Sequence, residues 1–212
     1  EAWRQFVPRQ LNLKAGEVKL HGRSVHDVAL QINQADRVWV NQIQARELAG
    51  RIEFSEGAQG RAGKVHARLS RLSIPASTAG DGPAASAEPP AHIPALDVVV
   101  EDFELRGKKL GRLDLQAINH DVVPLRQGAG AVQDWELSRL SLTMPEGTLT
   151  ASGRWATRVR APALPLDPRA PRDAGDRRRT ALDLKLEVRD AGALLKRFDM
   201  PDVVARGKGT LS

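Results

Sequence analysis

The chain has 212 residues, 32 Lys and Arg against 26 Asp and Glu for a formal net charge of +6, and no cysteine, so thiolate metal sites, thiol catalysis and disulfides are all excluded. With four Trp, four Phe and no Tyr, its core must be aliphatic, in one large domain or two small ones. The basic balance invites a nucleic-acid or acidic-membrane reading. Arg far outnumbers Lys in a chain rich in Ala and Gly, however, a bias that genome composition produces as readily as function, and no nucleic-acid partner is expected. The chain begins at Glu1, with neither a charged-then-apolar leader nor an apolar run of about eighteen residues, and reads as a fragment or processed chain, soluble as given.

Trp3 and Phe6 precede Pro8, after which Leu11 and Leu13 alternate with polar residues up to an Ala15-Gly16-Glu17 turn. Val18 and Leu20 alternate again, His21-Gly22-Arg23 interrupts, and Val28, Leu30 and Ile32 resume, for four candidate strands in all. Val38 to Ala45 and Ile52 with Phe54 continue the pattern. Gly57, Gly60 and Gly63 lack the spacing of a phosphate-binding loop and read as a hairpin connection into Val65, Ala67 and Leu69. Residues 74–94, with Pro75, Pro83, Pro89, Pro90 and Pro94 among Ser, Ala and Gly, hold too little apolar content to pack. They read as a linker between a first segment, 1–73, and a second, 95–212.

The second segment restarts with Leu96 to Val100, Phe103 and Leu105, a turn at Arg106 to Lys109, and Leu113, Leu115 and Ala117 on one parity. Beyond a loop through Pro124 and Gly130, Trp135 and Leu137 fall out of phase with Leu140, Leu142 and Met144. The slip at Ser138-Arg139 requires a bulge or tight turn. Leu149, Ala151, Gly153 and Trp155 alternate with Thr148, Thr150, Ser152 and Arg154, and a Pro- and Arg-rich loop is expected at 156–179. In residues 180–190, Leu182, Leu184, Leu186 and Val188 oppose Asp183, Lys185, Glu187 and Arg189: a strand with one apolar and one wet face. Asp190 has the chemistry of a helix N-cap for a short helix at about 190–199, with Leu194, Leu195 and Phe198 at helical spacing.

About a dozen short strands joined by turns, with one helix, predict a mainly all-β fold, an extended antiparallel meander. The chemistry-bearing residues form no constellation. His21 and His26 lack metal-ligand spacing, His66, His92 and His120 are scattered, and there is no nucleophile motif. Glu101-Asp102 reads as turn capping, and Arg177 to Arg179 as a solvated loop that could also grip phosphate. No enzymatic activity, metal or cofactor is expected.

Residues 96–115, 135–142, 149–155 and 190–198, with Gly207 to Leu211 and more weakly Leu11 to Leu72, resemble the AsmA-like envelope proteins of Gram-negative bacteria, most closely the YhdP branch. The resemblance implies a periplasmic protein anchored in the inner membrane by a helix absent here. It implies a curled β-sheet whose open groove carries phospholipid toward the outer membrane, with envelope proteins as possible partners. On this reading the phospholipid acyl chains meet Leu113, Leu115, Leu140, Leu142, Leu149, Ala151, Leu182, Leu184, Leu186 and Val188. The helix would plug or cap the sheet edge with Leu194, Leu195 and Phe198 inward. The alternative is a structural or protein-binding β module whose apolar face is a closed, dry core.

Overall fold

The computed structural model describes residues 9–20, 23–57, 63–76, 94–124, 131–159, 179–200 and 207–211. They form β1 (Gln10–Leu20), β2 (Arg23–Ala35), β3 (Val38–Gln44), β4 (Leu48–Ser55), β5 (Lys64–Ile74), β6 (Ala95–Leu105), β7 (Lys108–Pro124), β8 (Ala131–Met144), β9 (Gly147–Val159), β10 (Arg179–Val188), α1 (Ala191–Arg197) and β11 (Gly209–Leu211). All eleven strands join one sheet in sequence order, with β1 and β11 as its open edges. At the usual interstrand spacing the sheet runs about 48 Å from edge to edge.

The meander is antiparallel except at one place. β5 and β6 pair in parallel, Leu69 beside Val100 and Ala67 beside Val98, where the sequence pattern predicted antiparallel strands throughout. A parallel pair needs a crossover of a dozen residues or more, and residues 75–94 supply that length; 77–93 of this Pro-rich stretch lie outside the described residues. The two segments are thus parts of one sheet.

Strand length also differs from the alternation pattern, which treated every change of phase as a break. Ala15, Gly16 and Glu17 lie in the middle of β1, and β1 with β2 are two long strands in place of three short ones, while the first candidate strand, at Trp3 to Val7, lies outside the described residues. Asp27, with φ 53°, bends β2 opposite that point, so the apolar side changes without a turn. β7 likewise continues to Pro124, and β9 reaches Val159, into the stretch expected to be loop. Glu101 and Asp102 sit within β6 at a register shift, not in a turn, and the Glu101 carboxylate accepts two hydrogen bonds from Arg112 at 2.8 and 2.9 Å. The phase slip at Ser138-Arg139 is a bulge, with shifts between Leu137 and Leu140 on one side and between Gln116 and Ala117 on the other.

Local chemistry sets the turns. Arg106 and Gly107 both have positive φ, the backbone of a two-residue hairpin whose twist matches its strands. Gly50, at φ 141°, occupies a bulge where a Cβ would stand 2.4 Å from the Arg68 carbonyl oxygen. Asp190 caps α1 by accepting a 3.0 Å bond from the Ala193 N–H. The helix differs from expectation in what it buries. Only Leu194 is buried and Phe198 is 43 % exposed, because the helix ends at Arg197 and Phe198 leaves the helical backbone as its C-cap. Nor does α1 cap the sheet edge: Leu194 joins a cluster with Ala67, Leu69, Val100, Phe103, Leu110, Leu142 and Met144, contributed by β5 to β8.

Candidate functional site: an apolar trough

Strand register converts alternation into a surface. One row of paired positions crosses all eleven strands: Leu13, Leu30, Ile43, Gly50, Leu69, Val100, Leu113, Leu142, Leu149, Leu186 and Leu211. Every member is aliphatic except Gly50. A second row runs Leu11, Ile32, Asn41, Ile52, Ala67, Val98, Leu115, Leu140, Ala151 and Leu184, and its one polar member, Asn41, donates its amide to the Ile52 carbonyl at 3.2 Å. A third runs Trp39, Phe54, Val65, Leu96, Ala117, Leu137, Gly153 and Leu182. Rows on one face lie two residues apart, so the three make an apolar band about 13 Å wide.

The opposite face is wet and charge-paired. Arg68 donates to Asp97 at 2.9 Å, Arg51 pairs with Glu53 at 2.7 Å, and Lys185 pairs with Glu187 at 2.6 Å, holding the Glu187 carboxyl below its ordinary range. The described histidines carry carboxylate partners: His26 with Glu47 at 2.7 Å, His120 with Glu136 at 3.0 Å, and His66 with Asp97 at 3.8 Å. Burial pushes the Glu47 carboxyl up, but bonds from the His26 backbone N–H and ring outweigh it and leave the group below its ordinary value. Among the described residues no group of three or more His, Asp or Glu is placed to hold a metal ion. His21, His92 and Arg177 to Arg178 lie outside the described residues.

All ten residues singled out from the sequence fall on the apolar face. Leu113, Leu142, Leu149 and Leu186 belong to the first row, Leu115, Leu140, Ala151 and Leu184 to the second, Leu182 to the third, and Val188 lies beside Gly147 at the rim. Leu182 and Leu184 are 54 % and 51 % exposed; with Leu140 and Ala151 they line an open depression of about 720 Å³ over β8 to β10, whose lining also includes the polar residues Ser138, Arg139, Thr150, Ser152, Asp183 and Lys185. The sequence reading omitted the first-segment members of the same rows. Leu11, Leu13, Leu30, Ile43 and Leu69 carried the same alternating signal, but only register shows that they continue the same lines.

Exposure varies along the band. Leu11 and Leu13 at the β1 edge are 43 % and 40 % exposed, whereas Val100 in the middle is fully buried and Leu69 and Leu142 nearly so. Among the described residues no second sheet covers this middle. Its cover comes from side chains of the same face drawn together as the sheet coils, and from α1. Arg197 holds α1 in place: its guanidinium donates from two nitrogens to the two Glu146 oxygens and from a third to the Lys109 carbonyl. The bonded guanidinium keeps the Glu146 carboxyl below its ordinary value and is itself pushed up.

An open sheet, apolar on one unbroken face and charged on the other, defines the class: a trough-forming β protein. The family model described as YhdP protein matches residues 1–212, so the chain belongs to the YhdP family. That membership makes it a bacterial envelope protein of a family related to lipid transport. No curated protein and no solved structure shows significant similarity to it. Among the described residues no helix is long and apolar enough to cross a membrane.

Proposed function

We propose that this chain is a non-enzymatic section of a periplasmic lipid conduit, held at the inner membrane by a helix outside these residues, that shields phospholipid acyl chains on their way to the outer membrane. The observation that carries the reading is the row from Leu13 to Leu211, which continues across every strand without a charged residue and is exposed toward the β1 edge. An acyl chain of about sixteen carbons faces on the order of 13 kcal/mol to enter water, at about 0.8 kcal/mol per methylene. Sliding from one aliphatic position to the next removes most of that barrier without chemistry, metal or cofactor, and the wet opposite face stays in the aqueous periplasm. Other envelope proteins are partners of the assembled conduit.

The rival reading, a protein-binding or structural module with a dry core, draws on the buried middle at Val100. Photo-crosslinking in cells separates the two. A benzophenone side chain at Leu184 should capture phospholipid while one at Lys185, on the opposite face, should not. Capture of protein alone from Leu184, with no lipid adduct, would favour the rival.

A further inference from the structure

The apolar band is exposed at the β1 edge and over β10, and closed between them. Besides side chains of the same face, the element that contributes to this closure is α1, which leaves β10 and runs back along the rim toward β7. Seven helical residues span about 10 Å, roughly two interstrand spacings, which carries Arg197 to the Lys109 carbonyl and to Glu146 in the β8–β9 turn. Leu194 reaches the central cluster and is 8 % exposed. It is the sole buried residue of the helix.

The helix is therefore attached in an unusual way. One leucine provides its apolar anchorage, and the remainder is polar: the largely buried Arg197–Glu146 fork, a more exposed ion pair of Lys108 with Asp199, and Arg189 donating to the carbonyls of Met144 and Pro145. Of these only the Lys108–Asp199 pair is exposed enough to exchange readily for water, so the fork is the main polar hold on the helix, whereas the sheet beneath is held by continuous backbone ladders. Local opening selects elements with few buried apolar contacts. Phe198 and Met200, at the C-terminal end of the helix, are 43 % and 48 % exposed and offer apolar surface that the closed position leaves unused.

We infer that α1 is a gate on the trough: Leu194 fills the band over β5 to β8, the Arg197–Glu146 fork latches it, and a lipid tail passes by displacing the helix outward along the rim. The inference rests on the trough reading and adds a control point to it. In the closed state the exposed stretches near β1 and over β10 are separate apolar surfaces; in the open state Leu194 withdraws and the first row becomes continuous for a hydrocarbon chain.

The absence of native cysteine allows a direct test. Nitroxide labels on Phe198→Cys and Thr143→Cys, the latter exposed on β8, report the distance from α1 to the sheet by pulsed electron resonance in the full chain. Exchange of a fluorescent phosphatidylglycerol between vesicles is followed in parallel on unlabelled protein. The gate predicts a longer, broader distance on adding phospholipid vesicles. It predicts the same shift without lipid in Arg197→Ala and in Glu146→Gln, with exchange several-fold faster, and a return of both to parental values in the charge-swapped Glu146→Arg/Arg197→Glu pair. Exchange that proceeds with the helix distance unchanged, and at equal rate in the latch variants, overturns the gate and leaves the trough standing. No exchange in any variant, Arg197→Ala included, overturns the trough and the gate together.

Discussion

Leu184→Asp puts a carboxylate into the second row of the band, where the parental side chain is 51 % exposed and lies beside Ala151. A fully buried leucine is worth about 1.5–3 kcal/mol, so a half-exposed one forfeits about 0.7–1.5, with up to about 1 more for the poor strand preference of Asp. The fold should survive a loss of that size. Transport is a different matter, because a tail crossing this position must now hold two or three methylenes against a charge it cannot desolvate. At about 0.8 kcal/mol each this adds about 1.6–2.4 kcal/mol to passage, a slowing of about 15- to 60-fold. Lys185→Asp changes charge one residue away on the wet face, removing only the exposed pair with Glu187, and should leave transport unchanged. The assay is phospholipid exchange between vesicles with melting curves on the same samples. Equal slowing in both variants, or collapse of the fold in Leu184→Asp alone, would refute the reasoning.

Gly50→Ala should destabilise the sheet by about 2 kcal/mol or more in chemical denaturation, since its φ of 141° and the Arg68 carbonyl 2.4 Å from the added Cβ leave no room to relax. Asp190→Ala removes the cap of α1 and should cost about 1 kcal/mol locally, read as faster amide exchange at Ala193 with the sheet amides unchanged. Acid sensitivity follows from Glu146, whose carboxyl is held below its ordinary value of 4.5 by the bond from Arg197. Its folded value is the lower one, so its stabilisation is fully present above the ordinary value and is lost as pH falls through the lowered one. Glu146→Gln should therefore flatten the acid limb of a melting-temperature profile relative to the parent.

Much of this is legible in the residues alone. Alternation in Leu182 to Val188 and in Leu149 to Trp155 identified the strands and their apolar parity, because a sheet wet on one side imposes period two on its residues. The phase slip at Ser138 announced a bulge for the same reason. What the pattern could not convey was pairing. β5 and β6 lie side by side in parallel, and the composition of residues 74–94 between them carries no signal of which strand the next one will pair with. Strand length was misjudged wherever a bend preserved hydrogen bonding while changing parity, as across Gly16 and Asp27. The helix was visible through Asp190 and the leucines. Its place over the central band was not, because Arg197 finds Glu146 and the Lys109 carbonyl across distances that local spacing does not encode.

The most direct test of the trough is the lipid content of the protein as purified from an envelope fraction. Native mass spectrometry should find phospholipid bound to the parental protein, retained in Lys185→Asp and depleted in Leu184→Asp. Parental protein that emerges fully folded and free of lipid, with vesicle-incubated protein equally empty, would contradict the account.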